Sequence, residues 1–257
     1  MKVVILAGGF GTRIAEESGT RPKPMVEIGG HPILWHVMKI YSAYGIKDFI
    51  ICAGYKSEVI KNFFANYLLQ KSDITFDTKN GTTTIERNGV EDWKVTVVDT
   101  GQDSMTGGRL ARVKKYIGNE TFMMTYGDGV GDINIKELID FHKKEGVLAT
   151  VTAVKTPGRF GAFILDPGQT KVQHFREKES DDGTRINAGF FVLEPEVFNY
   201  IKDDQTVWEQ EPLQQLSKEG KLAGFRHNGF WQPMDSLRDK NLLEEIWGKG
   251  NASWKVW

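Results

Sequence analysis

The chain is poor in cysteine and proline and carries no surplus of either charge. Its 257 residues include one cysteine and eight prolines, and 33 Lys and Arg against 34 Asp and Glu leave a formal net charge of −1. A single cysteine excludes a disulfide framework and any cysteine-based metal site. The charge balance argues against a dedicated nucleic-acid binder, which carries a basic surplus. No apolar run reaches the ~18 residues of a membrane span, and the apolar start from Val3 to Ala7 is too short for a signal-peptide core. No membrane contact and a cytoplasmic location are expected. Cys52, inside Phe49-Ile50-Ile51-Cys52-Ala53, reads as a buried inert thiol. The histidines His31, His36, His142, His174 and His227 show no close ligand spacing, and His36 and His142 fall on helical patterns.

What the chain does have is Leu6-Ala7-Gly8-Gly9-Phe10-Gly11-Thr12-Arg13, followed nine residues on by Pro22-Lys23-Pro24-Met25. The apolar, β-branched run up to Leu6 suits a buried strand. Glycines at 8, 9 and 11 let backbone N–H groups approach an anion that a Cβ would hold away. The Thr12 hydroxyl can cap a helix or bind a phosphate oxygen, the Arg13 guanidinium can grip two such oxygens, and Lys23 adds a compact charge on a loop stiffened by two prolines. The pattern is not a Walker A loop, since no Gly-Lys-Ser/Thr follows, and it lacks the third small residue of a dinucleotide fingerprint.

Apolar runs alternate with helical patterns along the chain, so an α/β single domain with a mostly parallel, Rossmann-like central sheet covered by helices is expected. The spacing predicts strands at 2–7, 48–53, 95–99, 121–126 and 148–154, with helices over 31–44, 57–69, 107–116 and 134–145. Alternating residues around Asn80-Gly81 predict an antiparallel insertion over 74–87. Beyond residue 155 the pattern is strand-rich, with strands at 163–165, 172–176, 188–193 and 221–227. Helices are predicted at 195–202 and 209–219, and another after Asp235. The half up to about residue 155 is read as nucleotide-binding, and 156–257 as the half that holds the second substrate and ends in a helix.

Thr125-Tyr126-Gly127-Asp128-Gly129 stands where the strand at 121–126 ends, and strand ends are where open α/β sheets bind ligands. A carboxylate between two glycines suits either a turn or the approach to a hydrated Mg²⁺. Asp235 ends Phe230-Trp231-Gln232-Pro233-Met234-Asp235 ahead of the last helix, as either its N-cap or a second metal ligand.

Taken whole, Gly8-Gly9-x-Gly11-Thr12-Arg13 with Pro22-Lys23-Pro24 resembles the signature of the sugar-1-phosphate nucleotidyltransferases, and the likeness spans nearly the whole chain. It implies the nucleotide-diphospho-sugar transferase fold, Mg²⁺ as cofactor and release of pyrophosphate. Met25 to Gly30, Ser104-Met105-Thr106-Gly107-Gly108-Arg109, Pro157 to Ala162 and Trp208 to Leu213 sharpen it toward cytidylyl transfer, with CTP and glucose 1-phosphate as the implied substrates. A homo-oligomer and a role in surface polysaccharide (lipopolysaccharide) synthesis are implied as well. In such a protein Arg13 and Lys23 are catalytic, and Leu6, Ala7, Gly8, Gly9, Phe10, Gly11, Thr12, Arg13, Lys23, Ser104, Arg109 and Gly127 hold the nucleotide. Asp128 and Asp235 take the metal, while Glu177, Lys178 and Asn187 take the sugar phosphate. The chain departs from the family in writing Glu177-Lys178-Glu179 where Glu-Lys-Pro is common. Arg109 could equally be a surface cation, and Glu177-Lys178 a solvated strand end. A thymidylyl or uridylyl transferase and a silent nucleotide-sugar sensor remain alternatives. The tail residues Trp254 and Trp257 dock either on the core or on another subunit.

Overall fold

A computed structural model describes residues 1–14, 19–87, 89–155, 162–164, 174–176 and 185–257. A seven-stranded sheet forms the centre. Its strands are β1 (Val3–Ala7), β2 (Asp48–Ala53), β3 (Lys94–Asp99), β4 (Phe122–Tyr126), β5 (Ala149–Val154), β6 (Ile186–Leu193) and β7 (Leu222–His227). They lie in the order β7-β5-β6-β4-β1-β2-β3, all parallel to their neighbours except β6, which runs antiparallel to both β5 and β4.

Strands covered on both faces must be apolar on both, and β1 shows how the two faces are divided. Val3, Ile5 and Ala7 point into one core with helices α1 (Ile33–Ala43), α4 (Ile135–Glu145) and α6 (Leu237–Gly248), through residues such as Ile33, Leu138 and Leu243. Val4 and Leu6 point into the other with Leu110 of α3 (Thr106–Arg112) and Leu216 of α5 (Glu211–Lys218). Helix α2 (Ser57–Gln70) joins β2 to β3 and adds Ile60 to the first core.

Most of the expected elements appear within a residue or two of their predicted bounds. The helix expected over 107–116 is divided into α3 and a one-turn helix Lys114–Ile117, and 195–202 forms a 3-10 turn, Pro195–Tyr200, rather than an α-helix. The predicted hairpin pairs Asp73–Asp77 with Thr82–Glu86 and projects into solvent. Its turn needs glycine, since Gly81 has φ +67°. Trp254 is fully buried, stacked between Phe230 and Trp247, so it docks on the chain's own core; Trp257 packs partly against the same cluster.

Two features position the site. The chain leaves β1 toward β2 on one side and later returns to β4 on the other, which makes the C-terminal ends of β1 and β4 a topological switch point, where open sheets leave a crevice. A short ladder of Gly129–Gly131 against Trp231–Pro233, not foreseen in the sequence, pairs Gly129 with Pro233. The Met234 N–H donates to the Asp128 carbonyl at 2.8 Å, so Asp128 and Asp235, far apart in sequence, are fixed side by side.

Candidate active site

A cleft of about 1040 Å³ opens at this switch point. It is lined by Leu6 to Thr12, Lys23, Ser104, Thr106, Arg109, Tyr126 and Asp128 from the first half of the chain and by Asn187, Glu209 and Asp235 from the second.

Lys23 opens a 3-10 turn, Lys23–Met25, whose entry is set by Pro22. Its ammonium lies 2.5 Å from Asp128 Oδ2 and 2.6 Å from Asp235 Oδ1, with the side chain 10% exposed against 29% and 30% for the two carboxylates. Burial works against the charge, but the attraction and hydrogen bonds of Asp128 and then Asp235 outweigh it, so the Lys23 pKa lies above its ordinary value. The ammonium therefore stays charged. Asp235 does not cap α6. Ser236 is the N-cap, in a reciprocal capping box with Asp239, while the Asp235 N–H donates to Asp239 Oδ2 at 3.1 Å. The Asp235 carboxylate is thus directed to Lys23 rather than to the helix terminus.

The glycine loop is shaped from behind by Arg109. Arg109 is 5% exposed, and its guanidinium donates to the carbonyls of Gly8 (3.0 Å), Gly101 (2.6 Å) and Gln102 (3.0 Å) and to Thr100 Oγ1 (2.9 Å). Any Cβ on Gly8 would come within 2.1 Å of it, so Gly8 is required by close approach. Burial lowers the Arg109 pKa without discharging it. Arg109 is accordingly no surface cation; it reaches the cleft as an internal brace of the loop. Gly11, at φ +65°, needs its left-handed conformation to lead into the 3-10 turn Thr12–Ile14 that contains Arg13. In the phrase Ser104–Arg109, Gly107 and Gly108 let α3 pack directly on the backbone of Thr206 and Asp204, where a Cβ would come within 2.7 and 2.3 Å of their carbonyl oxygens. Ser104 is buried at the cleft. Gly127 donates its N–H to the Leu6 carbonyl at 3.0 Å, joining the ends of β1 and β4.

Of the sugar-side residues, Asn187 is exposed and lines the cleft, whereas Glu177 and Lys178 lie outside the described residues. Two lining residues were not singled out from the sequence. Tyr126, at the end of β4, donates its hydroxyl to Glu209 at 2.5 Å and accepts from Asn187 Nδ2 at 3.1 Å. Burial and the Glu209 charge push its pKa up, so the phenol stays protonated. Both lie inside sequence phrases already noted, beside Gly127-Asp128 and after Trp208, but a lone Tyr or Glu carries no spacing signal.

The pattern of the Nucleotidyl transferase family matches residues 2–232. The chain belongs to the nucleotidyl transferase family. Over the full length of both chains it is 58% identical to the glucose-1-phosphate cytidylyltransferase of Salmonella typhi, and 48% identical to the probable glucose-1-phosphate cytidylyltransferase of Bacillus subtilis (strain 168). A mannose-1-phosphate guanyltransferase of Aspergillus oryzae is 31% identical over 98% of this chain and 66% of its own. Among solved structures, HddC from Yersinia pseudotuberculosis superposes with a TM-score of 0.69 at 23% identity, covering 96% of this chain and 99% of its own. A UDP-glucose pyrophosphorylase complexed with UDP-glucose gives 0.69 at 16%, with 97% and 98% covered. These superpositions show the nucleotide-diphospho-sugar transferase fold. Asp128 and Asp235 bring two carboxylates, hard oxygen donors, together on Lys23 in the cleft. Among the described residues no group of three or more His, Cys, Asp or Glu gathers as a metal cage. No helix among them is long and apolar enough to cross a membrane.

Proposed function

We propose that the protein transfers the cytidylyl group of CTP to glucose 1-phosphate, giving CDP-glucose and pyrophosphate. One observation carries the chemistry: a charged, desolvated ammonium and two carboxylates converge at a strand end, in the same cleft that the glycine loop lines. The choice of CTP and glucose 1-phosphate is supported by the full-length likeness to relatives that carry those names.

The phosphate of glucose 1-phosphate is largely dianionic near neutral pH, so the attacking oxygen needs no general base. The difficulty lies in bringing two polyanions into line, which calls for fixed cations and backbone dipoles. The backbone from Gly8 to Thr12 holds the triphosphate, and Arg13 is assigned to the leaving pyrophosphate. Lys23 stabilises charge at the α-phosphate. Asp128 and Asp235 fit Mg²⁺, which takes one or two protein carboxylates and fills its octahedron with water and phosphate oxygens. When bound there, Mg²⁺ neutralises charge on the α-phosphate and the leaving group. Asn187, Glu177 and Lys178 serve the glucose hydroxyls and phosphate. A cytoplasmic homo-oligomer contributing CDP-glucose to surface polysaccharide belongs to the same reading.

The test is incubation with glucose 1-phosphate, Mg²⁺ and each nucleoside triphosphate separately, reading out pyrophosphate. CTP should support turnover far better than dTTP, UTP, ATP or GTP. Equal or better turnover with dTTP overturns the assignment.

A further inference from the structure

Two chains of hydrogen bonds link residues that line the cleft, and both end on one carboxylate. The first begins on β6. The Gly189 N–H donates to Asn187 Oδ1 at 2.8 Å, which fixes the orientation of the carboxamide and leaves Nδ2 to donate to the Tyr126 hydroxyl at 3.1 Å. A phenol has one proton, so Tyr126, accepting from Asn187, donates to Glu209 Oε1. The second begins at the Trp208 N–H, which donates to Thr106 Oγ1 at 2.9 Å; that hydroxyl donates to Glu209 Oε2 at 2.6 Å. Every donor along both paths is directed, and Glu209 is the terminal acceptor of each. The Tyr126 ring is held from beneath as well, because Gly189, at φ +91°, leaves it room that a Cβ would invade at 2.6 Å.

We infer that Glu209 is a positioning residue that ties two parts of the cleft lining together, one arm holding Asn187 on the sugar side and the other holding the start of α3 on the nucleotide side. The inference rests on the assignment of those parts under the proposed reaction. A carboxylate suits the task because it accepts from both hydroxyls at once without offering a proton to either. Two hydroxyls pointing inward would otherwise lack an acceptor in a partly desolvated place.

The two arms are separable, and so are their effects. Tyr126→Phe keeps the ring but cuts the arm to Asn187, whereas Thr106→Val cuts the other. Steady-state kinetics with both substrates varied should show Tyr126→Phe raising KM for glucose 1-phosphate by roughly tenfold, with KM for CTP held within about twofold. Thr106→Val should give the mirror result. Glu209→Ala should raise both, and Glu209→Gln, which keeps one acceptor oxygen, should restore one of the two. Equal shifts in both constants for Tyr126→Phe, or variants that lower only the thermal midpoint, overturn the inference and leave Glu209 a packing residue. Wild-type turnover judges the substrate reading separately. Should a panel of sugar 1-phosphates and nucleoside triphosphates reveal another preferred pair, the same variants are measured with that pair.

Discussion

Two polar clusters lie at opposite ends of the same sheet. At the C-terminal end of β4, Lys23 sits between Asp128 and Asp235. At its N-terminal end, Thr150 Oγ1 lies 2.8 Å from His142 Nδ1, His142 Nε2 lies 3.0 Å from Glu194 Oε1, and Thr121 donates to both Glu194 oxygens. The second cluster has the residue types of a nucleophilic triad, hydroxyl to imidazole to carboxylate, while the first could pass for an ordinary ion pair. Access reverses that impression. Thr150 and His142 are 0% and 2% exposed, so no substrate can reach the hydroxyl; the cluster satisfies buried polar groups where β5, α4 and the end of β6 meet. Lys23 and its carboxylates face a cleft large enough for a nucleotide and a sugar. Chemistry follows from convergence on open space, not from a familiar set of side chains.

Substitutions at the open end should therefore change rate, and those at the sealed end stability. The largest effect is expected from Asp128→Asn, which keeps the shape but removes one of the two carboxylates proposed to take Mg²⁺. It should lower kcat/KM by on the order of 10³ and raise the Mg²⁺ concentration needed for half-maximal rate, with the melting midpoint near wild type. Unchanged Mg²⁺ dependence makes Asp128 a turn residue. Asp235→Ser should behave alike, because Ser236 already caps α6.

Next is Lys23→Ala, with kcat lower by ~10² or more, roughly 3 kcal/mol of transition-state stabilisation, and a smaller change in KM for CTP. Lys23→Arg should recover little, since a planar fork cannot take the place of a compact ammonium between two carboxylates.

Sealed groups should act on stability. His36 is buried among Trp35, Trp247 and Trp254, and burial lowers its pKa to about 4 from the ordinary 6.5. The folded state then stays neutral while the unfolded chain takes up the proton. Its contribution is complete above about pH 6.5 and is lost as pH falls toward 4, about 2 kcal/mol by pH 5. Denaturant unfolding at pH 7 and pH 5 should show that difference and show it shrinking in His36→Gln; an unchanged difference excludes His36 as its source. The smallest expected effect is His142→Ala. Leaving Thr150 and Glu194 without their partner should cost about 1–2 kcal/mol of stability with kcat within about twofold of wild type. A tenfold loss of kcat would place function at the wrong end of the sheet.

The open end was the more legible of the two in the sequence, and the reason is local. Strand periodicity and the glycines place Gly8 to Gly11 at the end of β1 and Gly127-Asp128-Gly129 at the end of β4 without any tertiary information. The meeting of Asp128 with Asp235 was not legible, because it depends on the short ladder of Gly129–Gly131 with Trp231–Pro233, whose three-residue strands have no period to detect. Arg109 shows the same limit. Its sequence context gives a cation on a helix, yet five protein acceptors from Gly8, Ala53, Thr100, Gly101 and Gln102 convert it into a buried brace. Position alone fits Asp235 to an N-cap as well as to a ligand, and only the folded terminus, capped by Ser236, separates the two. The Tyr126–Glu209 contact joins residues 83 apart, and only the assembled cleft reveals it.

Lys23 and Asp128, 2.5 Å apart, should act as one unit on the transferring phosphate, and a double-mutant cycle on kcat/KM measures whether they do. With Lys23→Ala, Asp128→Asn and the double variant measured under one set of conditions, the double should fall within about tenfold of the weaker single, because groups that act together cannot each be lost in full twice. Losses that multiply, to about 10⁵ overall, would show two independent contributions and contradict the account.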